Sequence, residues 1–84
     1  MEIQDLIEYI IKSIVNHSED VEVEEKETED KKSRLFMTTI NDEDSPIVLG
    51  RNGRIIKSIR NLAQASNNLD DDRYIKIEIK KNHR

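Results

Sequence analysis

The two glycines of the chain lie three residues apart in the segment GRNG, residues 50–53, which we call the GRNG turn. Arg51 stands between them, Arg54 follows directly, and Lys57 comes three residues later. Glycine lets a ligand approach the main chain closely because it has no side chain, and arginine binds phosphate groups through several N–H donors. These residue types at this spacing indicate a site for a ligand that carries phosphate groups.

The spacing distinguishes the GRNG turn from the nucleotide-binding loops. A P-loop requires G-x-x-x-x-G-K-[ST], but Ile56 stands where a glycine should precede Lys57 and Ser58. No strand leads directly into the turn, as a dinucleotide-binding motif would require. Two interpretations remain open. The glycines either supply unusual backbone angles to a tight turn between helices, which is preferred for an isolated G-x-x-G, or let a nucleic-acid backbone lie against the following helix.

The distribution of charge permits a nucleic-acid partner although the total does not suggest one. The formal net charge is −4. Residues 1–45 carry five Lys/Arg and fourteen Asp/Glu, a net −9, whereas residues 46–84 carry nine and four, a net +5. Such asymmetry can place a positive face on an acidic protein.

Length and composition predict a small cytoplasmic protein with one domain, residues 1–84. The absence of cysteine excludes disulfides and thiolate zinc sites. The acidic N-terminus lacks the positive start of a secretory signal, and no apolar run is long enough for a membrane span. We therefore expect no membrane association, no metal and no cofactor.

The first half of the chain predicts one helix and two strands. A stripe of apolar residues at three- and four-residue steps predicts an amphipathic helix, formed by Ile3, Leu6, Ile7, Ile10, Ile11 and Ile14. VEVEE at residues 21–25 and RLFMTTI at residues 34–40 read as strands joined by a polar loop. An acidic connection, NDEDS, leads into the next helix.

The second half predicts two helices around the GRNG turn, followed by a strand. Ser45 and Pro46 form a helix start, with the serine hydroxyl accepting a bond from a free backbone N–H. Gly50 would end this short helix in a left-handed conformation. The next helix runs from Gly53 to about Asn67, with a buried face of Ile55, Ile59, Leu62 and Ala63. After a loop at residues 69–73, YIKIEIK forms a strand that buries Ile75, Ile77 and Ile79.

The predicted fold class is α+β, in the order α-β-β-α-α-β, with a three-stranded sheet and helices packed on one face. Because a helical pair separates the second and third strands, a mixed sheet is favoured over a meander. The other sheet face should be polar, since the alternating strand positions are charged: Glu22, Glu24, Lys76, Glu78 and Lys80.

A short helix, a G-x-x-G turn and a longer helix against three strands is the arrangement of a KH domain. VLGRNGRII, residues 48–56, resembles the KH core motif V-I-G-x-x-G-x-x-I. The continuation GRNGRIIKSIR resembles the small bacterial KH proteins of the KhpA type, in which lysine usually stands at the position of Arg51. The resemblance covers nearly the whole chain and implies a single KH domain of type II.

The resemblance also implies binding of single-stranded RNA, in which the G-x-x-G loop clamps four backbone nucleotides. Carried across by position, the clamp is Gly50, Arg51, Asn52 and Gly53, with Arg54 beside it and Lys57 one turn further along the helix. Val48, Leu49 and Ile56 would form part of the floor of the groove on which the bases lie, and some of them must also serve the core. Proteins of this kind are implied to act as RNA chaperones, to pair with themselves or with a larger Jag-like KH protein, and to bear on cell division and envelope growth.

The other candidate residues predict no chemistry. His17 and His83 are isolated and expected at the surface. Asp70–Asp72 lacks the ligand spacing of a calcium loop and is interpreted as a solvated turn. No nucleophile–base pair or paired acids are present, so we expect no enzyme. The alternative function is protein association or dimerisation through a KH fold with little RNA binding. Salt should separate the two, because phosphate contacts weaken steeply with salt and an apolar interface does not.

Overall fold

The computed structural model describes residues 2–82, so that His83 lies outside the described residues. Its helices are α1 (Ile3–Ile14), α2 (Ser45–Leu49) and α3 (Arg54–Asn67). Its strands are β1 (Glu22–Lys26), β2 (Ser33–Asn41) and β3 (Tyr74–Asn82). Single 3₁₀ turns occupy Ser18–Asp20, Asp42–Asp44 and Arg51–Gly53. The α+β class, with three helices and three strands, is as predicted.

The three strands form one mixed sheet in the order β1-β2-β3. β1 pairs with β2 antiparallel through a hairpin, and β2 pairs with β3 parallel. A parallel pair needs a crossover connection, which the two helices α2 and α3 supply. In this register Phe36 at the centre of β2 lies between Glu25 and Ile77. The predicted mixed sheet is therefore confirmed.

The hydrophobic core lies between the inner face of the sheet and the helices. It is centred on Phe36, which is fully buried. The other buried apolar residues come from every element, as Ile3, Ile7, Ile11, Val21, Val23, Ile40, Val48, Ile59, Ala63 and Ile75. Thr38 also lies in this core, and its Oγ1 has no hydrogen-bond partner within residues 2–82. On the outer face all five charged strand positions that were predicted to be exposed are exposed.

The buried face of α3 differs from the prediction. Ile55 and Leu62 were expected in the core, but their exposed fractions are 41% and 58%. Steps of three and four residues from the buried Ile59 lead instead to Ile56 and Ala63, and then to Asn67. Ile55 lies against Gly50 across the GRNG turn, and its neighbour Ile56 is half-buried and packs against the core. The prediction was correct for Ile59 and Ala63 and wrong for Ile55 and Leu62.

The start of α2 also differs from the prediction. Ser45 lies inside the helix, and the residue before it, Asp44, makes no side-chain hydrogen bond to cap α2. The fully buried carboxylate of Asp44 accepts hydrogen bonds from the main-chain N–H groups of Asn16 (3.1 Å) and His17 (2.9 Å) instead. Pro46 occupies the first turn of the helix, as predicted. The acidic connection thus ties the start of α2 to the end of α1.

Candidate functional site

The GRNG turn contains three residues with positive φ. Gly50 has φ 71° and ψ 177°, Asn52 has φ 55° and ψ 27°, and Gly53 has φ 73° and ψ 17°. The positive φ of Gly50 was predicted, but its extended ψ lies outside the left-handed helical region. The Asn-Gly pair has the angles found at the centre of a type I′ turn, for which this dipeptide is a known signature. The sequence therefore contained a signal for Asn52 that the prediction did not use.

The two glycines are required for different reasons. A Cβ on Gly50 would lie 2.3 Å from Cγ1 and 2.9 Å from Cβ of Ile55, which real side chains do not tolerate. A Cβ on Gly53 would meet nothing closer than the Lys57 Cε at 3.9 Å. Gly50 is thus needed for packing inside the protein, whereas the space beside Gly53 is open to a ligand.

The N-terminus of α3 is open to an anion. Gly53 precedes the helix and has no side chain to cap it, and its own N–H donates to the Gly50 carbonyl at 3.2 Å. The N–H of Arg54, the first residue of α3, donates to the Arg51 carbonyl, so an anion would meet the N–H groups that follow it. The first turn of α3 contains no acidic residue. The first N–H groups of a helix have no partner inside the helix and carry a partial positive charge, so this end of α3 can bind a negatively charged group.

Three positive side chains surround this helix end. Arg51, Arg54 and Lys57 are all exposed. Within the described chain, residues 2–82, none of them has an ion-pair or side-chain hydrogen-bond partner. The Lys57 side chain lies beside Gly53, so its charge is close to the turn. The structure therefore brings the predicted charged residues together around an open helix N-terminus, an arrangement suited to phosphate.

The predicted groove floor is only partly at the surface. Val48 is fully buried, so of the three residues it is the one that serves the core rather than the exposed surface. Val48 and Ser45, three residues apart, form the buried face of the short helix α2. Leu49 and Ile56 are half-buried on either side of the turn and remain candidates for apolar contact with a base.

A hydrogen-bonded network fixes the loop at the other end of α3. Arg34 donates two hydrogen bonds to Glu25, at 3.0 and 2.9 Å, and one to the buried Asn67 at 2.7 Å. The hydrogen bonds from Arg34 lower the pKa of Glu25. Asn67 in turn donates to the Arg73 carbonyl at 3.0 Å. This network links β1, β2 and α3 to the loop before β3, and nothing in the local sequence indicated it.

The acidic loop before β3 is more ordered than a simple solvated turn. The Arg73 guanidinium donates to both carboxylate oxygens of Asp71, and the shortest of these contacts is 2.6 Å. These hydrogen bonds lower the pKa of Asp71 to about 2. Asp70 and Asp72 are exposed, as predicted.

His17 is not isolated, contrary to the prediction. Its Nδ1 lies 3.7 Å from a Glu19 carboxylate oxygen, and its Nε2 lies 3.6 Å from one of Glu43. His17, Glu19 and Asp20 also place ligand-type atoms within 4.8 Å of one another. The buried Asp20 accepts a hydrogen bond from Asn41 at 2.9 Å, however, so the fold itself explains its position.

None of the helices in residues 2–82 is both long enough and apolar enough to cross a membrane.

Comparison with known proteins identifies a family. A family model described as "KhpA/KhpB, KH domain" matches residues 4–79. The chain is 37% identical over 76 residues to the RNA-binding protein KhpA of Thermotoga maritima, and this match covers 90% of the chain and 96% of that protein. The RNA-binding protein KhpA of Listeria monocytogenes matches with the same identity and coverage.

The fold is also similar to part of Era, as seen in the crystal structure of Era with MgGDPNP and nucleotides 1506–1542 of 16S ribosomal RNA. The TM-score is 0.68 at 13% sequence identity. The match covers 98% of this chain but only 30% of the Era chain, and at this identity it concerns the fold alone.

The family model and the relatives agree with the resemblance found in the sequence. These relatives are named RNA-binding proteins. The chain belongs to the KhpA/KhpB family of KH-domain proteins.

Proposed function

We propose that the protein is a single-domain, non-catalytic KH protein of type II that binds single-stranded RNA at the GRNG turn. Arg51, Arg54 and Lys57 would contact phosphates, and the main chain at Gly53 would let the RNA backbone approach the first N–H groups of α3. Leu49 and Ile56 would support the neighbouring bases.

One observation carries the proposal: three unpaired cations lie within one turn of a helix N-terminus that has no side-chain cap and no acidic residue in its first turn. A turn that served only the fold would need Gly50, but it would not need three exposed positive charges or the open space at Gly53. Phosphate is the ligand that satisfies both the charges and the N–H donors.

The arrangement of the acidic connection supports the same proposal. Asp44 is buried against the end of α1, and Glu43 lies beside His17. Both contacts are made at the start of α2, whereas the GRNG turn follows its end. Part of the negative charge of the first half of the chain is thus directed toward α1 and the segment that follows it.

The proposal is tested by fluorescence anisotropy of a labelled single-stranded RNA pool, titrated with wild type and with Arg51→Asp/Asn52→Asp. The double variant places two negative charges in the turn, and aspartate at position 52 tolerates the positive φ. We expect the double variant to fold, as circular dichroism would show, and to lose binding. The matched control is Lys80→Asp/Gln4→Glu, which changes the net charge equally at exposed positions on the outer sheet face and α1. It should bind as wild type does.

Salt provides a second, independent measure. Release of counterions from single-stranded RNA gives a slope of log K against log salt of about −0.7 for each phosphate contact. Three cations at the turn therefore predict a slope of about −2 for wild type. Equal binding by wild type and the double variant, or no binding by wild type at low salt, would reject the proposal.

A second candidate function, protein association, is favoured by a different observation. Ile55 and Leu62 lie seven residues apart on the outer side of α3, and Leu69 just beyond the helix is 83% exposed. Such a line of exposed apolar side chains can form an interface with a second copy of the chain or with a larger Jag-like KH protein. Sedimentation of wild type and Leu62→Arg, with Tyr9→Arg on α1 as control, tests it. A sedimentation coefficient that is unchanged by Leu62→Arg would reject this candidate.

From the family resemblance alone we further infer that the protein works in the cytoplasm as an RNA chaperone, with a link to cell division and envelope growth.

A further inference from the structure

A cavity of about 660 Å³ lies where the end of α3, the start of β3 and the β1–β2 loop meet. Four basic residues line it: Lys31, Lys32, Arg60 and Arg73. Asp72 is the one acidic residue among the residues that line it, and Tyr74 forms part of its wall. We call this cavity the basic pocket. None of its lining residues belongs to the GRNG turn.

Three of the four basic residues that line the basic pocket form no ion pair within residues 2–82. Lys31 and Lys32 are exposed, and in the part of the chain that the structure describes neither ammonium group has an ion-pair partner. Arg60 donates only to the uncharged side chain of Asn61, at 3.1 Å. Arg73 is paired with Asp71. Three cations without an ion-pair partner therefore line a pocket with a single carboxylate, and Asp30 outside the lining interacts electrostatically with Lys32. The balance of charge in the lining is positive and favours an anionic ligand.

The wall that carries Tyr74 is held firmly, although its ring is exposed. The Tyr74 N–H donates to the Lys32 carbonyl at 2.8 Å. The Gln64 amide donates to the Arg73 carbonyl at 2.9 Å and accepts from the Ile75 N–H at 2.8 Å. The main chain on both sides of Tyr74 is thereby fixed, while 66% of the residue is exposed to solvent. An exposed aromatic ring on a fixed main chain is suited to stacking on a base.

The basic pocket lies along α3 from the GRNG turn. Arg60 follows Lys57 by three residues and Gln64 follows Arg60 by four, so all three lie on one side of the helix. Seven residues separate Gly53 from Arg60, or about 10 Å along the helix axis. α3 contains no acidic residue over its whole length. A negatively charged strand can therefore follow this helix from the turn to the pocket without meeting a carboxylate on α3.

We propose that the basic pocket is a second contact for the same RNA strand, in which Lys31, Lys32 and Arg60 bind phosphates and Tyr74 stacks on a base. This inference rests on the function proposed above and extends it, because the footprint becomes longer than the four nucleotides at the turn. The combination of free cations with an exposed aromatic ring is the chemistry that single-stranded nucleic acid recognises. An acidic protein surface would satisfy the cations but would leave Tyr74 without a role.

The test is the dependence of affinity on RNA length. Labelled oligouridines of four, six, eight and ten nucleotides are titrated with wild type and with Lys31→Ser/Lys32→Ser/Tyr74→Ser. We expect both proteins to bind the tetranucleotide equally. Wild type should bind the ten-nucleotide RNA more tightly than the tetranucleotide. The variant should bind the ten-nucleotide RNA about tenfold or more weakly than wild type does. Tyr74→Phe, which keeps the ring, should bind as wild type does.

A matched control removes the same residue types elsewhere. Lys12→Ser/Lys80→Ser/Tyr9→Ser loses two exposed lysines and a tyrosine that is as exposed as Tyr74, at 66%. The affinity of this control variant should rise with RNA length as much as that of wild type. A photo-crosslinking experiment on wild type gives a second readout that does not depend on the folding of a variant. A ten-nucleotide RNA with 4-thiouridine at one end should crosslink to peptides that contain Lys31, Lys32 or Tyr74.

The possible outcomes separate this inference from the proposed function. If wild type binds the tetranucleotide but its affinity does not rise with RNA length, the basic pocket is rejected as an RNA contact, while the proposed site at the GRNG turn stands. The basic pocket is also rejected if the affinity of wild type and that of the pocket variant rise equally with RNA length. Displacement of the ten-nucleotide RNA from the pocket by poly-glutamate, with no effect of Tyr74→Ser, would show a site for any polyanion and would also overturn it. Wild type that binds no RNA of any length rejects the proposed function itself.

Discussion

Replacing each glycine of the GRNG turn by alanine should have very different consequences for stability. Gly53 has left-handed helical angles and open space around its Cα, so Gly53→Ala meets only the conformational penalty of an L-residue. That penalty is about 1–2 kcal/mol. Gly50 combines φ 71° with ψ 177°, a region that is nearly restricted to glycine and that costs other residues about 1–3 kcal/mol.

Gly50→Ala carries an additional steric cost. The new Cβ would lie 2.3 Å from Cγ1 and 3.0 Å from the main-chain nitrogen of Ile55, so α3 must shift as well as the side chain. Overpacking of this kind costs about 1–3 kcal/mol, which brings the total to roughly 2–6 kcal/mol. A domain of 84 residues has a free energy of unfolding of about 4–13 kcal/mol. Gly50→Ala therefore removes a large part of the stability and Gly53→Ala a small part.

Urea denaturation followed by circular dichroism measures both effects. With a slope of about 1 kcal/mol per molar urea for a domain of this size, Gly53→Ala should lower the midpoint by about 1–2 M. Gly50→Ala should lower it by more than 2 M or prevent folding. Asn52→Gly is the control, because glycine accepts the positive φ without strain, and it should not destabilise. Equal costs for the two alanine variants, or a larger cost for Gly53→Ala, would refute the steric reasoning.

Three further predictions concern the core, the loop before β3 and pH. Thr38→Val removes a buried hydroxyl that has no hydrogen-bond partner in residues 2–82, so it should raise the free energy of unfolding by about 1 kcal/mol. Thermal denaturation should show a higher midpoint for the variant than for wild type. A lower midpoint would show that the hydroxyl does have a partner. Gln64→Leu leaves the Ile75 N–H and the Arg73 carbonyl without this side-chain partner, so it should lower the free energy of unfolding by about 1–3 kcal/mol. Hydrogen exchange at the Ile75 amide should become faster. An unchanged exchange rate would contradict the bridging role of Gln64. Stability should fall as the pH drops from about 4.5 toward 2, because Glu25 and Asp71 have lowered pKa values in the folded protein and their contribution is lost as they become protonated. Glu25→Gln/Asp71→Asn should flatten that pH dependence in acid denaturation curves, and an unchanged slope would show that other carboxylates determine it.

Local patterns in the sequence were sufficient for most of the fold. The isoleucine stripe of α1 and the alternation in β3 each depend on neighbours within a few residues. The ends of α2 and α3 followed from proline, glycine and asparagine, whose backbone preferences are local. The GRNG turn was found because its glycines and arginines are contiguous.

The errors came where distant residues decide the outcome. Ile55 and Ile56 are identical in type and adjacent, so their residue types do not show that Ile55 lies against Gly50 while Ile56 packs against the core. Asp44 was indistinguishable from its acidic neighbours, because its partners are main-chain N–H groups 27 and 28 residues away. The same holds for Arg34, whose contact with Asn67 spans 33 residues. Tertiary contacts of this length leave no periodic trace in the sequence.

The most direct test of the central claim is an NMR titration of the labelled protein with a single-stranded tetranucleotide. If the GRNG turn holds the RNA backbone, the largest amide shifts should fall on residues 50–56, with the outer face of the sheet unaffected. The Gly53 amide should be among them, because the ligand would lie in the open space beside it. Shifts confined to other surfaces, or no shifts at saturating RNA and low salt, would contradict the account.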